Sequence, residues 1–82
     1  MLLKPVQFAI VKFEGIRPLA RAINIDSAYV HRWRESGLIP SKHQIDIIEA
    51  SNNMITPKEI IYGGDIDKRV VVKNFEWLLK DA

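Results

Sequence analysis

Apolar residues recur through the first sixty positions at the spacing of short amphipathic helices. Between Ile16 and Arg34 that rhythm stops and restarts once. Ile16, Leu19, Ala20 and Ile23 fall at i, i+3, i+4 and i+7, one face of a helix. Val30 and Trp33 share a side of the next helix, and Ile25 feeds in from the connection. Ala20 sits where two crossing helices would touch, and its small side chain lets them approach. Asn24 follows the last periodic residue, and asparagine tolerates the left-handed backbone of a sharp helix exit. Asp26 or Ser27 then supplies the next N-cap. The pattern predicts helices over about 16–23 and 27–35, joined by a tight three-residue turn.

The same logic places three more helices. Pro5 suits a first helical turn, and Val6, Ala9, Ile10 and Phe13 form a stripe with Phe8 beside it, ending at Gly15. Ser36-Gly37 stops the third helix, with Gly37 as a left-handed cap, and Leu38, Ile39 and Pro40 should fold back on the core. Ser41 reads as the N-cap of a fourth helix, with Gln44 completing a capping box. Ile45 and Ile48 carry its apolar stripe, which Ile47 extends, and Ser51-Asn52-Asn53 ends it. Thr56, Pro57 and Glu59 form another start signal, for a short fifth helix ending at Gly63-Gly64. After Asp65 two patterns compete. Val70-Val71-Val72 favours a strand, whereas Val71, Phe75, Leu78 and Leu79 match helical spacing. We favour a helix over the later half and leave the valines open. The expected fold is mainly α: a five-helix helix-turn-helix domain over 1–62 and a helical or extended C-terminal extension over 63–82, a candidate dimerisation element.

Composition narrows the function classes. Eighty-two residues support one small core, burying about 60–65% of the unfolded surface. The absence of cysteine removes disulfides and thiolate metal sites. The apolar start is short, interrupted by Lys4, Pro5, Gln7 and Lys12, and has no small-residue cleavage site, so it reads as a core helix. No apolar run approaches the roughly 20 residues that cross a bilayer. A cytoplasmic protein without membrane contact is expected. His31 and His43 lack metal-ligand spacing, no GxSxG or phosphate-loop motif occurs, and Gly63-Gly64 lacks the partner glycines and lysine of a phosphate cradle. We therefore expect no enzyme activity, no cofactor, no metal and no small-molecule substrate.

The net charge of +2 is unevenly spread. Residues 17–43 carry Arg17, Arg21, Arg32, Arg34 and Lys42 against Asp26 and Glu35, a balance of +3, while residues 44–82 total −2. Cations concentrated on the bihelical segment are what a phosphate-binding surface requires. With Val30 and Trp33 inward, Ser27, Ala28, Tyr29, His31 and Arg32 must face outward. The second helix of such a motif is presented to the DNA major groove, where its first half reaches base edges. Arg32 can donate two hydrogen bonds to guanine, Ala28 can touch a thymine methyl, and Ser27 and His31 can hydrogen-bond bases or phosphates. Tyr29 can reach the backbone through its hydroxyl. Arg17 at the start of helix two, and Ser41, Lys42 and His43 at the start of helix four, are the expected phosphate contacts. Arg21 and Arg34 have a structural alternative in pairing with Asp26, Glu35 or Glu49.

The run GIRPLARAINIDSAYVHRWRESGLIPSKHQIDIIEA resembles the Cro-like and YdaS-like helix-turn-helix proteins of phages and prophages, which show a similar RxLAxxLxVxxxxVxxWxxxGxIPxxH pattern. Arg17, Leu19, Ala20, Val30, Trp33, Gly37, Ile39, Pro40 and His43 match it, as does ITPKEI from Ile55 to Ile60. The likeness covers roughly residues 5–62 and departs at Asn24, where glycine is common. It implies a five-helix lambda-repressor-like domain that binds operator DNA as a dimer and regulates transcription; the leading expectation is a Cro-type repressor, a homodimer on a pseudo-palindromic double-stranded operator. HRWRESGLIP also looks like part of MerR-type regulators or winged-helix excisionases, but those place a β-wing where this chain has the helical pattern SKHQIDIIEASNN. A second class is a protein-interaction module or antitoxin. Phe75, Trp77, Leu78 and Leu79 must complete the core, form a homodimer or bind another protein.

Overall fold

Helix α1 (Pro5–Lys12) is apolar almost all round, and the other elements are arranged about it. Val6, Phe8, Ala9, Ile10 and Val11 are all buried, a wider face than the single predicted stripe. A helix buried on most sides keeps only a narrow polar edge, here Gln7 and Lys12. The structure, a computed structural model, describes residues 1–81. Against α1 pack α2 (Ile16–Ala22), α3 (Ser27–Ser36) and α5 (Pro57–Tyr62), while α4 (Ser41–Ala50) packs on α2 and α5; α6 (Lys68–Asn74) and a 3₁₀ turn over Glu76–Asp81 follow. Strands β1 (Leu2–Leu3) and β2 (Gly64–Asp65) pair antiparallel, Leu2 opposite Asp65 and Leu3 opposite Gly64. The fold is mainly helical, with a small C-terminal extension.

Three helices end in the same way. At α2 the Ile25 N–H donates to the Ala20 carbonyl (3.0 Å) and the Asn24 N–H to Arg21 (3.2 Å), with Asn24 left-handed at φ 57°. Glu14 plays that part after α1 and Asn52 after α4, at φ 66° and 56°. This paired closure satisfies carbonyls that a helix end otherwise leaves open. The sequence pattern assigned the exit of α1 to Gly15; Glu14 makes the left-handed turn and Gly15 follows as the N-cap of α2. The connection between α2 and α3 is four residues, Ile23 to Asp26, one longer than the spacing predicts.

Helix α4 corrects the predicted phase. Ile47 is fully buried and Ile45 is 67% exposed. The inward row is Gln44, Ile47, Ile48 and Ser51. Its two polar members find backbone partners: Gln44 Nε2 donates to the Ile39 carbonyl (3.0 Å), and Ser51 Oγ donates to Ile48 (2.7 Å) and accepts from the Ile55 N–H (3.1 Å). A satisfied amide or hydroxyl can face a core at little cost. Because Gln44 turns to Ile39, the predicted capping box with Ser41 does not form; Pro40 is the N-cap and Ser41 the first helical residue. The box at α5 does form, with the Glu59 N–H to Thr56 Oγ1 at 3.2 Å and the Thr56 N–H to Glu59 Oε1 at 2.9 Å. Ile39 is buried as expected, but Leu38 stays exposed.

In the extension the valine run is helical, not extended. Only Val71 points inward; Val70 and Val72 are exposed. Asp67 caps α6, accepting from the Arg69 N–H at 2.9 Å. Hydrogen bonds from the Arg69 side chain and backbone hold its carboxyl below the ordinary carboxylate range. Residues 76–81 form a 3₁₀ turn in place of the predicted later helix. Val71, Phe75 and Leu78 join the common core, and Gln7 Nε2 donates to the Leu78 carbonyl (3.3 Å). Gly63 anchors this closure. Its φ is +81°, and a Cβ there would overlap the Leu3 carbonyl oxygen. Gly63→Ala should therefore destabilise the protein by at least ~2 kcal/mol, read as a lower urea midpoint with unchanged slope.

Candidate nucleic-acid interface

Two facts fix the orientation of α3. Its start is capped by Asp26, whose Oδ1 accepts from the Ala28 N–H at 2.8 Å, which resolves the choice between Asp26 and Ser27. Its end is closed by left-handed Gly37 at φ 78°, whose N–H donates to the Trp33 carbonyl (2.8 Å). The Gly37 carbonyl in turn accepts from the Val6 N–H (3.1 Å), tying the helix to the first turn of α1. Between these ends Val30 is fully buried and Trp33 is 7% exposed. They share the core with Leu19 and Ala20, the buried residues of α2, the helix that packs against α3.

The opposite side of α3 is open. Ala28, Tyr29, His31 and Arg32 are exposed, and Ser27 is half-buried. The Arg32 guanidinium lies 4.9 Å from the centre of the Tyr29 ring, one turn away. Among the described residues no carboxylate pairs with Arg32, Arg17, Arg21 or Lys42. Arg21 therefore lacks the ion pair weighed for it. Arg34 is half-buried with its guanidinium 5.0 Å from the Trp77 ring, so it faces the extension. Arg17, Ala20, Arg21, Asn24, Ile25 and Ser27 line an open groove of about 470 Å³ between α2 and the start of α3.

At the start of α4, Ser41 and Lys42 are exposed, and no side chain caps the helix. His43 is different. It is half-buried, and its ring packs on Trp33 with centroids 5.2 Å apart at 37°. Tilted aromatic pairs at this distance are attractive. The contact fixes the first turn of α4 to the buried side of α3, a role that the position of His43 in a linear motif does not reveal.

The arrangement presents hydrogen-bond donors and, among the described residues, the cations Arg17, Arg21, Arg32 and Lys42 without a carboxylate partner. Among the described residues no group of three or more His, Cys, Asp or Glu could hold a metal ion, and no helix is long and apolar enough to cross a membrane. No family model matches the chain, and neither does any curated protein or solved structure.

Because the Asp26 carboxylate satisfies a first-turn N–H, Asp26→Ala should cost about 1 kcal/mol of stability, while Asp26→Asn should cost only a few tenths. Urea titration followed by tryptophan fluorescence measures both.

Proposed function

We propose that this chain is a sequence-specific DNA-binding transcription regulator, a Cro-type repressor of phage or prophage origin acting in the cytoplasm of a bacterial host. One observation carries the proposal. The donor-bearing side of α3, with Ala28, His31 and Arg32, stands clear of the core that Val30 and Trp33 bury. Unpaired Arg17, Arg21 and Lys42 come from the neighbouring α2 and α4.

Each group then has a physical task. Arg32 offers a planar fork matched to guanine O6 and N7. Ala28 offers a methyl to thymine, and Ser27 and His31 offer hydrogen bonds. Arg17, Arg21 and Lys42 neutralise phosphates, which supplies affinity and makes it salt-dependent. The uncapped first turn of α4 adds free N–H groups beside Ser41 and Lys42.

The molecule measures 29 × 24 × 20 Å. Two copies side by side about a two-fold axis suit half-sites one helical turn apart, about 34 Å. Regulation follows from occupying promoter DNA, with no chemical step. A protein-docking or antitoxin role for the extension draws less support, because Val71, Phe75 and Leu78 lie inside the monomer.

Selection of bound duplexes from a random pool tests the proposal. Enrichment of a two-fold-symmetric site is expected, and recovery of random sequence would refute it. Arg32→Ala should flatten preference at one position per half-site, worth about 1–3 kcal/mol; equal loss on specific and random duplexes would remove Arg32 as a base reader. Lys42→Ala should weaken all duplexes alike and lower the salt slope by about 1, and an unchanged slope would remove Lys42 as a phosphate contact.

A further inference from the structure

Arg32 is exposed and carries a long side chain with many rotamers, yet it has a defined neighbour. Its guanidinium sits 4.9 Å from the centre of the Tyr29 ring. Tyr29 lies three residues earlier on the same helix, so the two side chains share one stripe of α3. The tyrosine is 45% exposed and contributes nothing to the core. Burial elsewhere in the fold does not account for this pairing.

We infer that Tyr29 is a positioning residue for Arg32: its ring face holds the guanidinium in place before DNA arrives and thereby sharpens base preference at one position. This rests on the proposed DNA-binding function. It assigns the ring, and not the hydroxyl, as the working part of Tyr29.

The chemistry of the contact favours such a role. A carboxylate would also hold the guanidinium, but it would occupy the N–H donors that read guanine. Among the described residues none pairs with Arg32. An aromatic ring attracts the cation through its π face and leaves those donors unspent. Holding the side chain beforehand also removes part of the ordering cost of binding. Two other cation–ring contacts differ in placement. Lys12 lies over the buried Phe8, and Arg34 lies over Trp77 in the extension. The Tyr29–Arg32 pair alone among these three is confined to the open side of α3.

Tyr29→Phe and Tyr29→Ala in the full chain test the proposal, since neither change opens a core cavity. In the free protein, proton NMR should show the Arg32 methylene signals shifted upfield by the ring in the wild type and in Tyr29→Phe, and unshifted in Tyr29→Ala. Selection from a random duplex pool should give Tyr29→Phe the wild-type profile. Tyr29→Ala should lose about two- to fivefold of the preference at the position that Arg32→Ala flattens, with an unchanged salt slope. An unshifted Arg32 in the wild type would overturn the proposal. So would a wild-type profile in Tyr29→Ala, or a Tyr29→Phe defect as large as that of Tyr29→Ala; in either case DNA binding itself still stands. A wild-type protein that selects no sequence would overturn this inference together with the DNA-binding function.

Discussion

The packing of α3 on α2, with Val30 and Trp33 sunk in the core that also holds Leu19 and Ala20, decides what the rest of the surface can be. A ten-residue helix with two inward anchors has little freedom to roll. Turning it enough to bury Arg32 would drag the indole into water and bring an unpaired guanidinium inside, and both changes are costly. The open face is thus a consequence of the closed one. The closures at either end of the helix reinforce this. Asp26 fixes where α3 starts, and Gly37 fixes where it stops and hands its carbonyl to α1.

Much of this was legible because the signals are local. Asn24 turns left-handed, Gly37 ends α3, and Thr56 with Glu59 opens α5, each through short-range chemistry. Val30 and Trp33 were legible as anchors because two apolar residues three apart on an otherwise polar helix leave little choice of face. The candidate cations were legible by type; that no carboxylate among the described residues pairs with Arg17, Arg21, Arg32 or Lys42 became apparent only in three dimensions.

What escaped the sequence depends on distant partners. The phase of α4 turns on Gln44 and Ser51, polar residues that face inward because carbonyls and an N–H await them there. A pattern that counts polar positions as outward puts Ile45 on the wrong side. The valines of α6 favour a strand by themselves, but only Val71 is needed inside, and a helix delivers it. Strands of two residues have no periodicity to detect, so the β1–β2 pair was invisible. His43 was legible as a residue of a helix start; its ring contact with Trp33, ten residues earlier on another helix, was not.

The β1–β2 pairing joins residues 2 and 3 to residues 64 and 65, and Gln7 reaches the carbonyl of Leu78. Helix α1 therefore cannot complete its burial until the segment from Gly64 to Leu78 has been synthesised. On a ribosome the early helices would emerge with their apolar sides unmatched, and closure would wait until residues 64–78 had cleared the exit tunnel. Chains cut short before that segment would keep their apolar sides exposed to proteases.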